Sequence, residues 1–190
     1  MNTNTPSQRF RDRCEHIHQF MEEILVVCPK CRRRAVVQRK DPERMDLFAP
    51  RQLTCQNCGM TKHWQKQGIF GSGPDAAEDD YFHLPLWLQS RCCGHVLWAY
   101  NARHLQFLRD YVGSNLRERC RSPELGWSNS SLASRLPRWK QVAKNRDSIL
   151  RTIKKLEARL RDIEASGVGN KSRPLRQRTN RPSGGAGSGP

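Results

Sequence analysis

The stretches VVCPKCRRRAVVQRK, residues 26–40, and QLTCQNCGMTKHW, residues 52–64, decide how this chain folds. Each holds two cysteines separated by two residues: Cys28 and Cys31 in the first, Cys55 and Cys58 in the second. A CxxC turn lets both sulfurs reach one ion while backbone N–H groups point at them. Two such turns supply the four thiolates that Zn2+ takes at tetrahedral corners. Gly59, directly after the second pair, suits the left-handed conformation such a turn often requires, and Arg32 stands at the same place after the first pair. Buried thiols or a redox pair form the competing reading, and two matching pairs weigh against it. A catalytic zinc keeps an open position and usually a His or carboxylate ligand, so a full set of four thiolates points to one structural ion.

The strand-like pieces at 24–27, 35–37 and 52–54 flank both turns. The 23 residues between Cys31 and Cys55 imply an extended hairpin with its tip near Asp41 to Asp46. Residues 24–66 therefore resemble the zinc-ribbon class, the metal-binding β-ribbons of general transcription factors of the factor-IIB type, RNA polymerase subunits, ribosomal proteins and small bacterial proteins. The resemblance implies that Cys28, Cys31, Cys55 and Cys58 are the ligands. Its motif is specific for metal and silent on function.

A chain of 190 residues allows one main core with appendages. Its 34 Lys and Arg against 18 Asp and Glu give +16, an excess that favours polyanionic partners. Residues 137–190 carry 14 bases against 4 acids, so most of the excess is C-terminal. The start MNTNTPSQRF lacks the apolar run of a signal peptide, and no apolar run approaches the roughly 18 residues that span a bilayer. A cytoplasmic, membrane-free protein is expected, in a reducing setting where paired cysteines bind metal rather than each other.

Along the chain, Phe10, Cys14, Ile17 and Met21 fall at spacings of four, three and four, which predicts an N-terminal amphipathic helix within residues 1–21. The ribbon occupies 22–67. Residues 68–136 begin with an acidic Gly- and Pro-containing loop and continue as a β-hairpin turning at Cys93-Gly94. A helix capped by Asn101 follows, running to about Arg119 with Leu105, Leu108, Val112 and Leu116 on one face. Pro137 opens a long basic helix, 137–166, in which Val142, Ile149, Ile153, Leu156, Leu160 and Ile163 form a heptad-like seam interrupted by Arg146. That seam either pairs two chains as a homodimer or lies along its own domain. Residues 167–190 read as a disordered basic tail. The class expected is α+β.

Guanidinium groups make bidentate contacts with phosphate, so Arg32, Arg33, Arg34, Arg39, Lys40, Lys62 and Lys66 around the ribbon are candidate nucleic-acid contacts. Arg151, Lys154 and Lys155 are their counterparts on the C-terminal helix. Trp64 weighs toward packing rather than toward stacking on a base. Cys92, Cys93 and His95 could build a second metal site, but adjacent strand residues point to opposite faces and rarely share an ion. No acid pair, phosphate loop or nucleophile with an oriented base is recognisable, so a non-enzymatic protein is expected. DNA or RNA is the leading partner. A non-catalytic adaptor, docking on a larger complex through its ribbon and C-terminal helix, is the alternative.

Overall fold

The computed structural model describes residues 9–41, 43–44, 46–65, 76–122, 126–127 and 129–167. It is a mixed structure of α-helices and mainly antiparallel strands. Strand β1 (Arg9–Arg11) and a 3-10 turn at Ile17–Phe20 precede the ribbon strands β2 (Glu23–Val27), β3 (Arg34–Arg39), β4 (Arg51–Thr54) and β5 (Thr61–Trp64). The ribbon strands pair antiparallel in sequence order, with Val27 opposite Arg34 and Thr54 opposite Thr61. Alternation puts Ala35, Val37 and Leu53 inside, while the unbroken apolar run Ile24, Leu25 and Val26 is buried on both faces of β2.

The free edge of β2 is covered because the chain returns to it. Trp87 N–H donates to Leu25 O at 2.8 Å, Val27 N–H to Pro85 O at 2.8 Å, and Leu25 N–H to Tyr100 O at 2.8 Å. These bonds tie the ribbon to the hairpin β6 (Leu88–Cys92) and β7 (His95–Ala99). Its two-residue turn, Cys93 at φ 52° and Gly94 at φ 79°, has the left-handed pair that a primed turn needs.

Helix α1 (Ala102–Gly113) begins where Asn101 Oδ1 accepts the His104 N–H at 2.9 Å. It stops before the Arg119 expected from sequence, because Leu116 belongs instead to β8 (Leu116–Glu118) and is 49% exposed. β8 pairs parallel with β1. A small ladder of β9 (Arg121–Ser122) and β10 (Gly126–Trp127) follows, then α2 (Leu132–Arg135), α3 (Arg138–Gln141), a 3-10 turn at Ala143–Asn145 and α4 (Arg146–Gly167).

Two helix expectations are corrected. The N-terminal amphipathic helix of 1–21 does not form over the described residues. Cys14 takes φ 60°, which a right-handed helix cannot contain, and is disulfide-bonded to Cys120. Phe10 packs edge-on against Phe107 and Tyr111 at 5.4 and 5.2 Å, so the stripe residues are anchored separately. Nor is the C-terminal helix continuous from Pro137, since Val142 is extended at φ −78°, ψ 127° and divides α3 from α4.

Arg146, the odd residue in the seam, opens α4 and donates to Ser114 O at 3.2 Å and to Asn115 Oδ1. Ile149, Ile153 and Leu156 are buried against α1 and β6 of the same chain. The seam thus lies along its own domain over these residues. Residues 168–190 of the tail expected over 167–190, residues 66–75 at the end of the ribbon segment and the start of the acidic loop, and the Ile163 side chain lie outside what is described. One hydrophobic cluster runs from Cys28, Cys55 and Leu53 through Leu86, Leu88 and Leu97 to Leu105, Leu108 and Ile153, so ribbon and helices share a core.

Candidate metal centre

The β2–β3 and β4–β5 turns are built alike. In the first, Cys28 N–H donates to Arg33 O at 2.7 Å and Arg32 N–H to Cys28 O at 2.9 Å. In the second, Cys55 N–H donates to Met60 O at 2.9 Å and Gly59 N–H to Cys55 O at 2.9 Å. The residue after each pair is left-handed, Arg32 at φ 60° and Gly59 at φ 69°. Arg32 therefore adopts the conformation for which glycine is the natural choice, and the first turn keeps its shape despite a side chain that disfavours it.

The antiparallel β3–β4 pairing places the two turns side by side. Cys28 Sγ lies 3.7 Å from Cys58 Sγ, and Cys31 Sγ 3.5 Å from Cys55 Sγ. All four sulfurs lie within 4.8 Å of one another. Sulfurs held about 2.3 Å from a central zinc stand about 3.8 Å apart, so donor type, number and spacing all fit a tetrahedral ion. Cys28 and Cys55 are buried, and Cys31 and Cys58 are half-buried. The Arg33 backbone N–H, the largest influence on Cys31, holds its thiol down at about 6, whereas burial pushes the Cys55 thiol up to about 12. One sulfur is thus ready to bind as thiolate, while the buried one would release its proton to solvent as an ion displaces it.

Of the basic residues singled out around the ribbon, Arg32, Arg33, Lys40 and Lys62 are exposed and Arg34 is half-buried. Arg39 is not presented to solvent: its side chain is 8% exposed and faces Glu22 at 3.7 Å. It also donates to Arg44 O at 3.3 Å. Lys66 lies outside the described residues. On α4, Arg151, Lys154 and Lys155 are all exposed. Trp64 packs inside, edge-on to Tyr81 at 4.9 Å.

Sequence reasoning missed several buried groups that tie the ribbon and its surroundings together. Arg51, one of the ribbon's many basic residues, is 2% exposed; it donates to Tyr81 Oη at 2.9 Å and to Met21 O, with its guanidinium 4.3 Å over the Tyr81 ring. Asp79 accepts from the Tyr81, Phe82 and Leu84 backbones at 2.8–3.0 Å and shapes the approach to the hairpin. Its position beside Asp80 and Tyr81 in an acidic stretch gave no sign that it is inside. The Cys14–Cys120 bond was likewise unforeseen, 106 residues separating its ends.

Fold and donor set define a four-cysteine cluster positioned to hold a metal, consistent with a zinc ribbon. Among the described residues no other group of three or more metal-ligating side chains comes together. No protein-family model, curated protein or solved structure matches the chain. Among the described residues no helix is long and apolar enough to cross a membrane.

Proposed function

We propose that this chain is a zinc-ribbon nucleic-acid-binding protein acting in a DNA or RNA process, with one structural Zn2+ on Cys28, Cys31, Cys55 and Cys58 and no catalytic role. The observation that carries the reading is uncompensated positive charge beside the metal turns. Arg32 and Arg33 project from the first turn and Lys62 from β5, and none forms an ion pair with a described residue. Three such cations without an ion pair among the described residues, on a chain of +16, are matched most simply by phosphates. Arg151, Lys154 and Lys155 extend the same chemistry along α4. Zinc would fix the backbone from which the ribbon cations project, so metal and binding are coupled through shape.

Fluorescence titration against duplex DNA, single-stranded DNA and RNA at several salt concentrations tests this. Each phosphate contact contributes roughly 0.7–0.9 to the slope of log affinity on log salt, so Arg33→Ala with Lys62→Ala should flatten it by about one to two. A specific observation favours a second reading. Leu47 and Phe48, at the ribbon tip, are 39% and 45% exposed, a surface suited to docking on protein. Affinity weaker than about 10^-4 M for every nucleic acid near physiological salt, below even non-specific binding, would put the adaptor ahead. The cytoplasmic setting is part of the proposal and rests on the six free thiols; the Cys14–Cys120 bond weighs the other way.

A further inference from the structure

Cys92 and Cys93 are adjacent in sequence, and adjacent residues of a regular strand would send their sulfurs to opposite faces. The turn removes that separation. Cys92 ends β6 and Cys93 begins the two-residue connection with φ 52°, so the alternation breaks between them and their sulfurs stand 3.6 Å apart. Both are free thiols, and neither belongs to the four-cysteine centre. They open on a surface hollow of about 570 Å³ lined by Arg91 to Val96, with Cys93 exposed and Cys92 forming its floor. Ser148 and Arg151 of α4 lie beside Cys93.

The geometry points to a dithiol site for trivalent arsenic, and for monosubstituted arsenicals above all. Two alternatives fit less well. A disulfide between the two would need Cα atoms about 4.4–6.8 Å apart, whereas a trans peptide fixes neighbours at about 3.8 Å. A tetrahedral ion such as zinc wants four ligands, whereas His95 is stacked on Trp139 at 4.9 Å with the rings 8° from parallel, and among the described residues no third ligand atom joins the two sulfurs. Trivalent arsenic bearing one organic group needs two sulfurs only, and a 3.6 Å bite is close to the edge that two thiolates span on a shared centre. With an arsine oxide, two As–S bonds form and the arsenic–oxygen bond breaks. The two thiol protons leave with the oxygen as one water, and nothing is oxidised or reduced.

Zinc-loaded protein is treated with one equivalent of phenylarsine oxide and examined by native mass spectrometry, without added reductant so that the Cys14–Cys120 bond persists. The expected product carries one phenylarsine and keeps its zinc. Cys93→Gly retains the left-handed turn and leaves a single thiol; losing the chelate should raise the reagent needed at least roughly 10²-fold. Cys92→Ala should do the same, while Cys120→Ser should still take up one phenylarsine and keep its zinc. Uptake unchanged in Cys93→Gly, or uptake only with loss of zinc, overturns the site. Zinc retained in the wild type alongside one bound phenylarsine separates this site from the metal centre.

Discussion

At the residue scale, the left-handed positions after the two CxxC pairs make a sharp comparison. Gly59→Ala should cost about 1 kcal/mol, and the cost is purely conformational because a Cβ there meets nothing within 4 Å. Arg32→Gly should do the reverse and stabilise by up to about 1 kcal/mol, unless the lost side chain served binding. Thermal melts of the zinc form measure both, and equal effects of one sign would contradict the shared turn geometry. Asn101 carries more than its cap: Nδ2 also donates to Phe20 O at 2.8 Å and Glu23 O at 2.7 Å. Asn101→Ala should therefore cost about 2–4 kcal/mol rather than the ~1 kcal/mol of a simple cap, as read by urea denaturation. The cap was legible because Asn precedes an apolar helical stripe. The two carbonyls it serves, some 80 residues upstream, left no mark in the local sequence.

At the element scale, what was legible divides by how local the determinant is. The CxxC turns, the Cys93-Gly94 hairpin and the start of α1 were readable because each is set by residues within a few positions. The N-terminal helix was misread because a four-three-four spacing also arises when apolar residues anchor separately, as Phe10 and Met21 do. The seam of α4 was readable as apolar, but only packing shows what covers it. Since Ile149, Ile153 and Leu156 are filled by their own domain, Leu156→Lys should unfold the chain, costing more than about 4 kcal/mol, instead of turning a dimer into a folded monomer. Circular dichroism alongside sedimentation velocity distinguishes the two, and a folded monomeric variant from a dimeric parent would return the seam to intermolecular pairing.

At the scale of the whole molecule, one core spans ribbon and helices, so a buried titratable group anywhere in it reaches global stability. His104, on α1, is held down to about 3, first by burial and then by the Lys140 ammonium. In the unfolded chain it takes a proton near pH 6.5, whereas the folded state refuses one until about pH 3. Its neutral burial is thus without penalty above pH 6.5, and stability is lost as pH falls from there toward 3, at up to about 1.4 kcal/mol per pH unit. The wild type should lose stability more steeply than His104→Gln across that window; parallel profiles from pH-dependent urea melts would show that histidine is not responsible.

The ribbon end of that core is closed by Cys28 and Cys55, which belong to the same cluster as Leu53 and Val37. Metal content and folding should therefore move together. The most direct measurement is zinc per chain on purified protein, by native mass spectrometry on the wild type and Cys55→Ser. One zinc is expected in the wild type and none in Cys55→Ser, which should also melt lower, while Cys93→Gly keeps its zinc. A wild type that is folded, melts cooperatively and carries no metal would contradict the assignment of Cys28, Cys31, Cys55 and Cys58 as ligands.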